Sequence, residues 1–131
     1  MQDLNQAASF GTTDGASTHW VEHLRVPALS VGTYSIKAGG VDDQTPHTED
    51  EIYVVVAGRG AFESGGQRID VGPGSTLYVP ANEEHRFLDV IADLTIVVIF
   101  APAEGTRYAG TGAGVLKRRL RAARRRCSSS R

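Results

Sequence analysis

Apolar and polar positions alternate along most of the chain with the two-residue period of half-buried strands. Residues 29–37 (LSVGTYSIK) show it clearly, after a first strand-like segment at 19–26 that ends at Pro27. Residues 52–56 (IYVVV) are β-branched or aromatic throughout and predict the strongest strand. Segments 61–64 and 67–71 flank Gly65-Gly66, a hairpin signal. Further strands are predicted at 76–79, 85–90 and 94–100, separated by Gly72-Pro73-Gly74 and a polar loop over 80–84. Gly39-Gly40 and Gly58-Arg59-Gly60 read as turns. Turn signals recur every eight to 12 residues, and no 3.6-residue pattern appears before residue 115. That spacing predicts an all-β sandwich or barrel.

At 131 residues the chain has the size of one domain, and 40% hydrophobic with 22% charged residues is the balance of a globular protein. No run approaches the roughly 18 apolar residues of a spanning helix, and residues 1–18 lack the basic start and apolar run of a secretory signal. The expectation is a cytoplasmic protein without a membrane partner. The one cysteine, Cys127, allows neither an internal disulfide nor a cysteine-based zinc site.

Charge divides the chain. Residues 117–131 hold eight of the 14 basic residues and none of the 15 acids, so residues 1–116 carry a net charge of −9. The expected organisation is an N-terminal arm (1–18), a β-barrel domain (19–101), and a Gly-rich linker with a basic, disordered tail (102–131). Gly110-Thr111-Gly112-Ala113-Gly114 suggests a nucleotide loop, but a dinucleotide fingerprint needs glycine at Val115 and a βαβ setting. The arginine-rich tail has no interleaved aromatics to stack bases, so no specific nucleic-acid partner is expected.

Two loops concentrate the chemistry. Pro46-His47-Thr48-Glu49-Asp50-Glu51 enters the strongest strand, and Pro80-Ala81-Asn82-Glu83-Glu84-His85 enters another. His47, Glu51 and His85, each at a strand entrance, are the ingredients of a facial site for Fe, Mn, Ni or Zn, with open positions for substrate or water. Glu49 and Asp50 are expected to face solvent, and Glu83 and Glu84 to stand on the rim. Tyr34, Tyr53, Tyr78, Phe87 and Phe100 fall on strands, where alternate residues face a barrel interior. Some of Tyr34, Tyr53, Tyr78 and Phe87 are therefore expected to line the pocket.

Residues 40–89 resemble the cupin superfamily, which carries two short motifs on a jelly-roll barrel, a double-stranded β-helix. In the first motif His47, Glu51 and Gly58 stand at the family spacing. In the second, Gly74, Pro80 and His85 do, with Asn82 in place of a glycine and Asp89 in place of an asparagine. Asn tolerates a positive φ better than most residues, so Asn82 is a mild change. The resemblance implies a divalent metal at the barrel mouth held by His47, Glu51 and His85. It further implies a small oxygen-bearing ligand or substrate, isomerase- or dioxygenase-type chemistry, and a homodimer. The family's first ligand histidine falls on Thr45, a poor ligand, which leaves Gln44 or Asp43 for a fourth position, or water. The alternative is a binding or sensing cupin that has lost its metal.

Overall fold

The computed structural model describes residues 1–12 and 14–107. The linker glycines at 110–114 and the basic run at 115–131 lie outside the described residues. A 3₁₀ turn at Asn5–Ala8 precedes six strands: β1 (Thr18–Val26), β2 (Leu29–Ile36), β3 (Asp50–Ser64), β4 (Gln67–Val71), β5 (Thr76–Val79) and β6 (His85–Ala101). All pairing is antiparallel, in the order β1-β2-β6-β3-β4, with β5 also on β3. The all-β expectation holds.

The long ladder between β3 and β6 organises the molecule. It runs from Asp50↔Ala101 to Ser64↔His85. Its first half is flanked by β2 on the β6 side and by β5 on the β3 side, its second half by β4. Gly58-Arg59-Gly60 does not reverse the chain as the sequence predicts, and residues 85–90 and 94–100 are not separate strands. Register shifts between Val55 and Ala61 instead bend one continuous pair, so each strand serves both halves. Gly58, at φ 95°, makes the bend feasible, because a Cβ there would meet the Asp93 carbonyl oxygen at 2.2 Å. The two-glycine hairpin is as expected: Gly65 and Gly66 both have positive φ.

Parity sorts the side chains. Tyr34, Ile36, Tyr53, Val55, Ile96, Val98 and Phe100 face inward and join Phe62, Val71, Val79, Phe87, Val90 and Leu94 in one core. Tyr53, Phe62 and Phe87 form a triangle of rings with centroids 4.7–5.6 Å apart, a favourable aromatic spacing. On the outer face, Leu24, Val31, Ile99, Ile52 and Tyr78 sit opposite one another across five strands. Tyr78 is 61% exposed there, so its parity takes it away from the pocket that the sequence assigned to it. Among the described residues no helix is long and apolar enough to cross a membrane.

Substituting the bend glycine tests this account. Gly58→Ala combines left-handed strain with a backbone clash and is expected to cost more than about 2 kcal/mol. Gly66→Ala, at φ 80° with nothing within 4 Å, carries strain alone and is expected to cost about 1–2 kcal/mol. Urea denaturation of both variants measures the difference, and equal losses would remove the steric role of the bend.

Candidate metal centre

Each candidate ligand reaches the interior for a local reason. Glu51 shares the inward parity of Tyr53 and Val55 on β3, and His85 shares that of Phe87 on β6. His47 stands on the loop before β3, its ring packed edge-on against Phe100 with centroids 4.8 Å apart. The Asn82 N–H donates to the His47 carbonyl at 2.7 Å, which ties the two motif loops together. Asn82 does this at φ 67°, the left-handed conformation its side chain tolerates. His47, Glu51 and His85 are all buried, and their ligand atoms lie within 4.8 Å of one another.

A hydrogen-bond network orients this group. His85 Nδ1 donates to the Glu83 carbonyl at 2.8 Å, which leaves Nε2 as an acceptor. The Tyr53 hydroxyl lies 2.8 Å from that Nε2, and Glu51 Oε1 lies 3.3 Å from it. Gln44 Oε1 stands 3.1 Å from His47 Nε2 and 3.4 Å from the Tyr53 hydroxyl. Its amide is held by Asp42, whose Oδ2 accepts from Gln44 Nε2 at 3.0 Å. Asp42 is itself buried and accepts from the Tyr34 hydroxyl and the Phe87 N–H, each at 2.8 Å. Of the aromatics expected at the pocket, Tyr53 brings its hydroxyl to the centre. Tyr34 and Phe87 act through Asp42.

The residues fit a divalent cation. Asp42, Glu49, Glu51 and Glu104 are buried carboxylates, and no Lys or Arg is buried among the described residues. Glu51 Oε2 is buried and has no hydrogen-bond partner among the described residues. Buried unpaired carboxylate is costly unless it is protonated or coordinates a cation. Imidazole with carboxylate oxygen is a donor set suited to Fe, Mn, Ni or Zn.

Two features differ from the sequence reading. Glu49 is fully buried rather than solvent-facing. It accepts from the Thr48 hydroxyl at 2.6 Å and from the Arg107 N–H at 3.1 Å. Glu104, which no motif marks, lies with Oε2 3.4 Å from His47 Nδ1. A lone acid in the glycine-rich stretch after the last apolar strand carries no periodic signal, so only the fold could find it.

A cleft of about 730 Å³ opens beside His85. Gln44, Thr45, Asp43, Glu63, Glu83 and Glu84 are among its walls, with Arg86 as the one basic residue. Asp43 and Gln44 precede the family's first-ligand position, where Thr45 is half-buried on the cleft wall. A smaller cavity of about 370 Å³ under the N-terminal arm contains His19 and His23, and His23 Nε2 is paired with the Thr33 hydroxyl at 2.7 Å.

Burial dominates the acid–base character. It pulls His47 down to about 3, with His85 adding to the effect, and lowers His85 against the pull of the Glu83 carbonyl. It pushes Glu51 well above the usual carboxylate range, opposed by the Tyr53 hydroxyl. In metal-stripped protein the two shifts act oppositely on stability. Below about pH 6.5 the unfolded chain takes up histidine protons that the native state refuses, so stability falls, by up to about 1.4 kcal/mol per pH unit for each histidine. Glu51 is protonated in the native state before the unfolded chain's carboxyl is, so it adds stability as pH falls towards about 4.5. Glu51→Gln removes only the second contribution. Urea denaturation of chelator-treated protein between pH 7 and 5 is therefore expected to give a steeper decline for the variant, and parallel curves would contradict the raised Glu51.

A family model for the cupin domain matches residues 32–100. An uncharacterized protein of Streptomyces coelicolor is 41% identical over 97 residues, covering 74% of this chain and 90% of that protein. Among solved structures, a cupin superfamily protein from Desulfitobacterium hafniense superposes with a TM-score of 0.62 at 17% identity, covering 76% of this chain and 90% of that one. The DMSP lyase DddQ from Ruegeria pomeroyi gives 0.61 at 18% identity, covering 69% of this chain and 53% of the lyase. At these identities the two structures share the fold. Matched over more than half its length by the family model, and 41% identical to a relative over 74% of it, the chain belongs to the cupin family as a small antiparallel β-barrel.

Proposed function

We propose that this cupin binds a divalent metal through His47, Glu51 and His85 at the barrel mouth and acts on a small oxygen-bearing molecule. The observation that carries the proposal is the buried Glu51 oxygen without a hydrogen-bond partner, in an interior with four carboxylates and no buried Lys or Arg among the described residues. Gln44 serves as the fourth donor, in the role the family gives to the histidine that Thr45 replaces. The ion would supply Lewis-acid charge for isomerase-type chemistry or one-electron chemistry towards dioxygen.

The chain's own groups have separate tasks. Asp42 holds the Gln44 carboxamide with its oxygen towards His47. The Glu83 carbonyl keeps the His85 proton on Nδ1. The Tyr53 hydroxyl is the proton-bearing group next to His85 Nε2. The cleft admits a substrate from the rim side, and its acids favour neutral or cationic groups over anions. The cytoplasmic location and homodimer are part of the same reading. The apolar row from Leu24 to Tyr78 is the face we assign to the second copy.

A second reading has one observation in its favour. Thr45 on the cleft wall gives a neutral, weakly coordinating surface where the family motif has a ligand, as a binding or sensing cupin without metal would.

Metal content decides between the two readings. Plasma mass spectrometry on protein purified without chelators or a histidine tag is expected to find near-stoichiometric Fe, Mn, Ni or Zn, lost in His85→Ala. No metal in the wild type, even after soaking with each ion, would leave the binding-module reading. For the assembly, light scattering is expected to give a dimer mass, and Tyr78→Glu a monomer. A monomeric wild type would reject the dimer.

A further inference from the structure

The cavity under the N-terminal arm lies on the other side of β2 from the core. Tyr34 and Ile36 point inward, so Thr33 and Ser35, of opposite parity, stand on the outer face beneath the arm. Both hydroxyls are buried, and both hold the arm. Thr33 Oγ1 donates to the Ala7 carbonyl at 2.7 Å, and the Gly11 N–H donates to Ser35 Oγ at 3.0 Å. Gly11 passes so close to the His19 ring that a Cβ there would stand 2.9 Å from Cδ2. The arm thereby roofs about 370 Å³, at the low end of the range for small-molecule pockets. Phe10 and Val21 give it apolar walls, and each is more than a third exposed.

The polar groups in these walls have defined roles. The Thr33 proton goes to a carbonyl, so the 2.7 Å contact between Thr33 Oγ1 and His23 Nε2 has the imidazole as donor. In the neutral ring, Nδ1 is then an acceptor. Ser35 accepts from Gly11 and keeps its own proton to give. Thr33 stands between the two, bonded to His23 and about 7 Å along the strand from Ser35. One end of the cavity thus accepts a hydrogen bond and the other donates one. No Asp, Glu, Lys or Arg lines it, in contrast to the acid cleft at His85. An ionised ligand would give up hydration there without a fixed counter-charge.

We infer that this cavity binds a small neutral aromatic molecule, with a hydroxyl donating to His23 Nδ1 and an acceptor oxygen taking the Ser35 proton. The ring packs against Phe10 and Val21 under the arm. The site is independent of the metal-binding reading, because none of its residues belongs to that centre or its network.

Three probes, 4-methoxyphenol, anisole and 4-methoxybenzoate, separate the parts of this inference. Each is titrated into ¹⁵N-labelled full-length protein and followed at the Gly11 and Ser35 amides and the His23 ring. The Gly65 amide reports the acid cleft. 4-Methoxyphenol is expected to shift the first three signals and to saturate below about 10 mM, a modest affinity for nine heavy atoms. Anisole lacks the donor and is expected to bind about 2–10-fold more weakly. 4-Methoxybenzoate is expected not to bind. His23→Phe is expected to bring 4-methoxyphenol down to the affinity of anisole, and Gly11→Val to abolish binding by lifting the arm off the His19 ring. No shift at the arm cavity, or shifts confined to Gly65, overturns the site. Equal wild-type affinities for 4-methoxyphenol and anisole overturn the role of His23, as does a preference that survives in folded His23→Phe. Binding of 4-methoxybenzoate as tight as that of 4-methoxyphenol overturns the neutral class. The probe comparisons use the wild type, so they decide the matter even if a variant fails to fold.

Discussion

Burial of four carboxyl groups without a buried Lys or Arg among the described residues is the constraint on which the interior of this barrel depends. Four carboxylates and two imidazoles are enclosed by apolar strands, and every described Lys and Arg is kept outside that interior. Each buried oxygen needs a donor, a proton or a cation. Asp42 finds donors in a phenol, an amide and a backbone N–H. Glu49 finds a hydroxyl and a backbone N–H, both at Oε2, and its buried Oε1 has no hydrogen-bond partner among the described residues. Glu51 has Oε2 left over, while its Oε1 lies 3.3 Å from His85 Nε2.

The strand architecture makes such a cluster affordable by spreading its supports over the core. β3 and β6 run through both halves of the barrel, so Glu51 and His85 stand near opposite ends of one bent ladder. Their inward neighbours Tyr53, Phe62 and Phe87 form the aromatic wall behind them. The loop carrying His47 is tied to the other motif loop through Asn82, and the Asp42 clamp is tied to β6 through the Phe87 N–H. Polar groups at the mouth and apolar groups behind them are thus held by the same strands, which limits independent motion of the ligand atoms.

The proteins similar to this chain share its framework more than its details. Fold-level likeness at under 20% identity says that a barrel can be built this way, and does not choose among chemistries. The cleft of this chain has Thr45 in its wall, a clamped carboxamide beside His47, and an acid mouth. These side chains line the cleft beside His85.

Much of this was legible in the residues alone. Two-residue alternation determined the all-β class, and the spacing of His47, Glu51, Gly58, Gly74, Pro80 and His85 selected the ligand candidates. Both are local signals, read along the chain without knowing which strands pair. Three outcomes needed the tertiary structure. The glycines at 58 and 60 bend a strand instead of ending it, since only the paired β6 supplies the bonds that continue the ladder. Tyr78 and Tyr53 look alike in sequence, yet parity across β3 and β5 sends one outward and the other to the centre. Glu104 and Asp42 are placed by groups elsewhere in the chain, Ser30 for the first and Tyr34 and Phe87 for the second. A carboxylate in a loop looks solvated until the surfaces that exclude water from it have assembled, and that assembly is a property of the folded barrel.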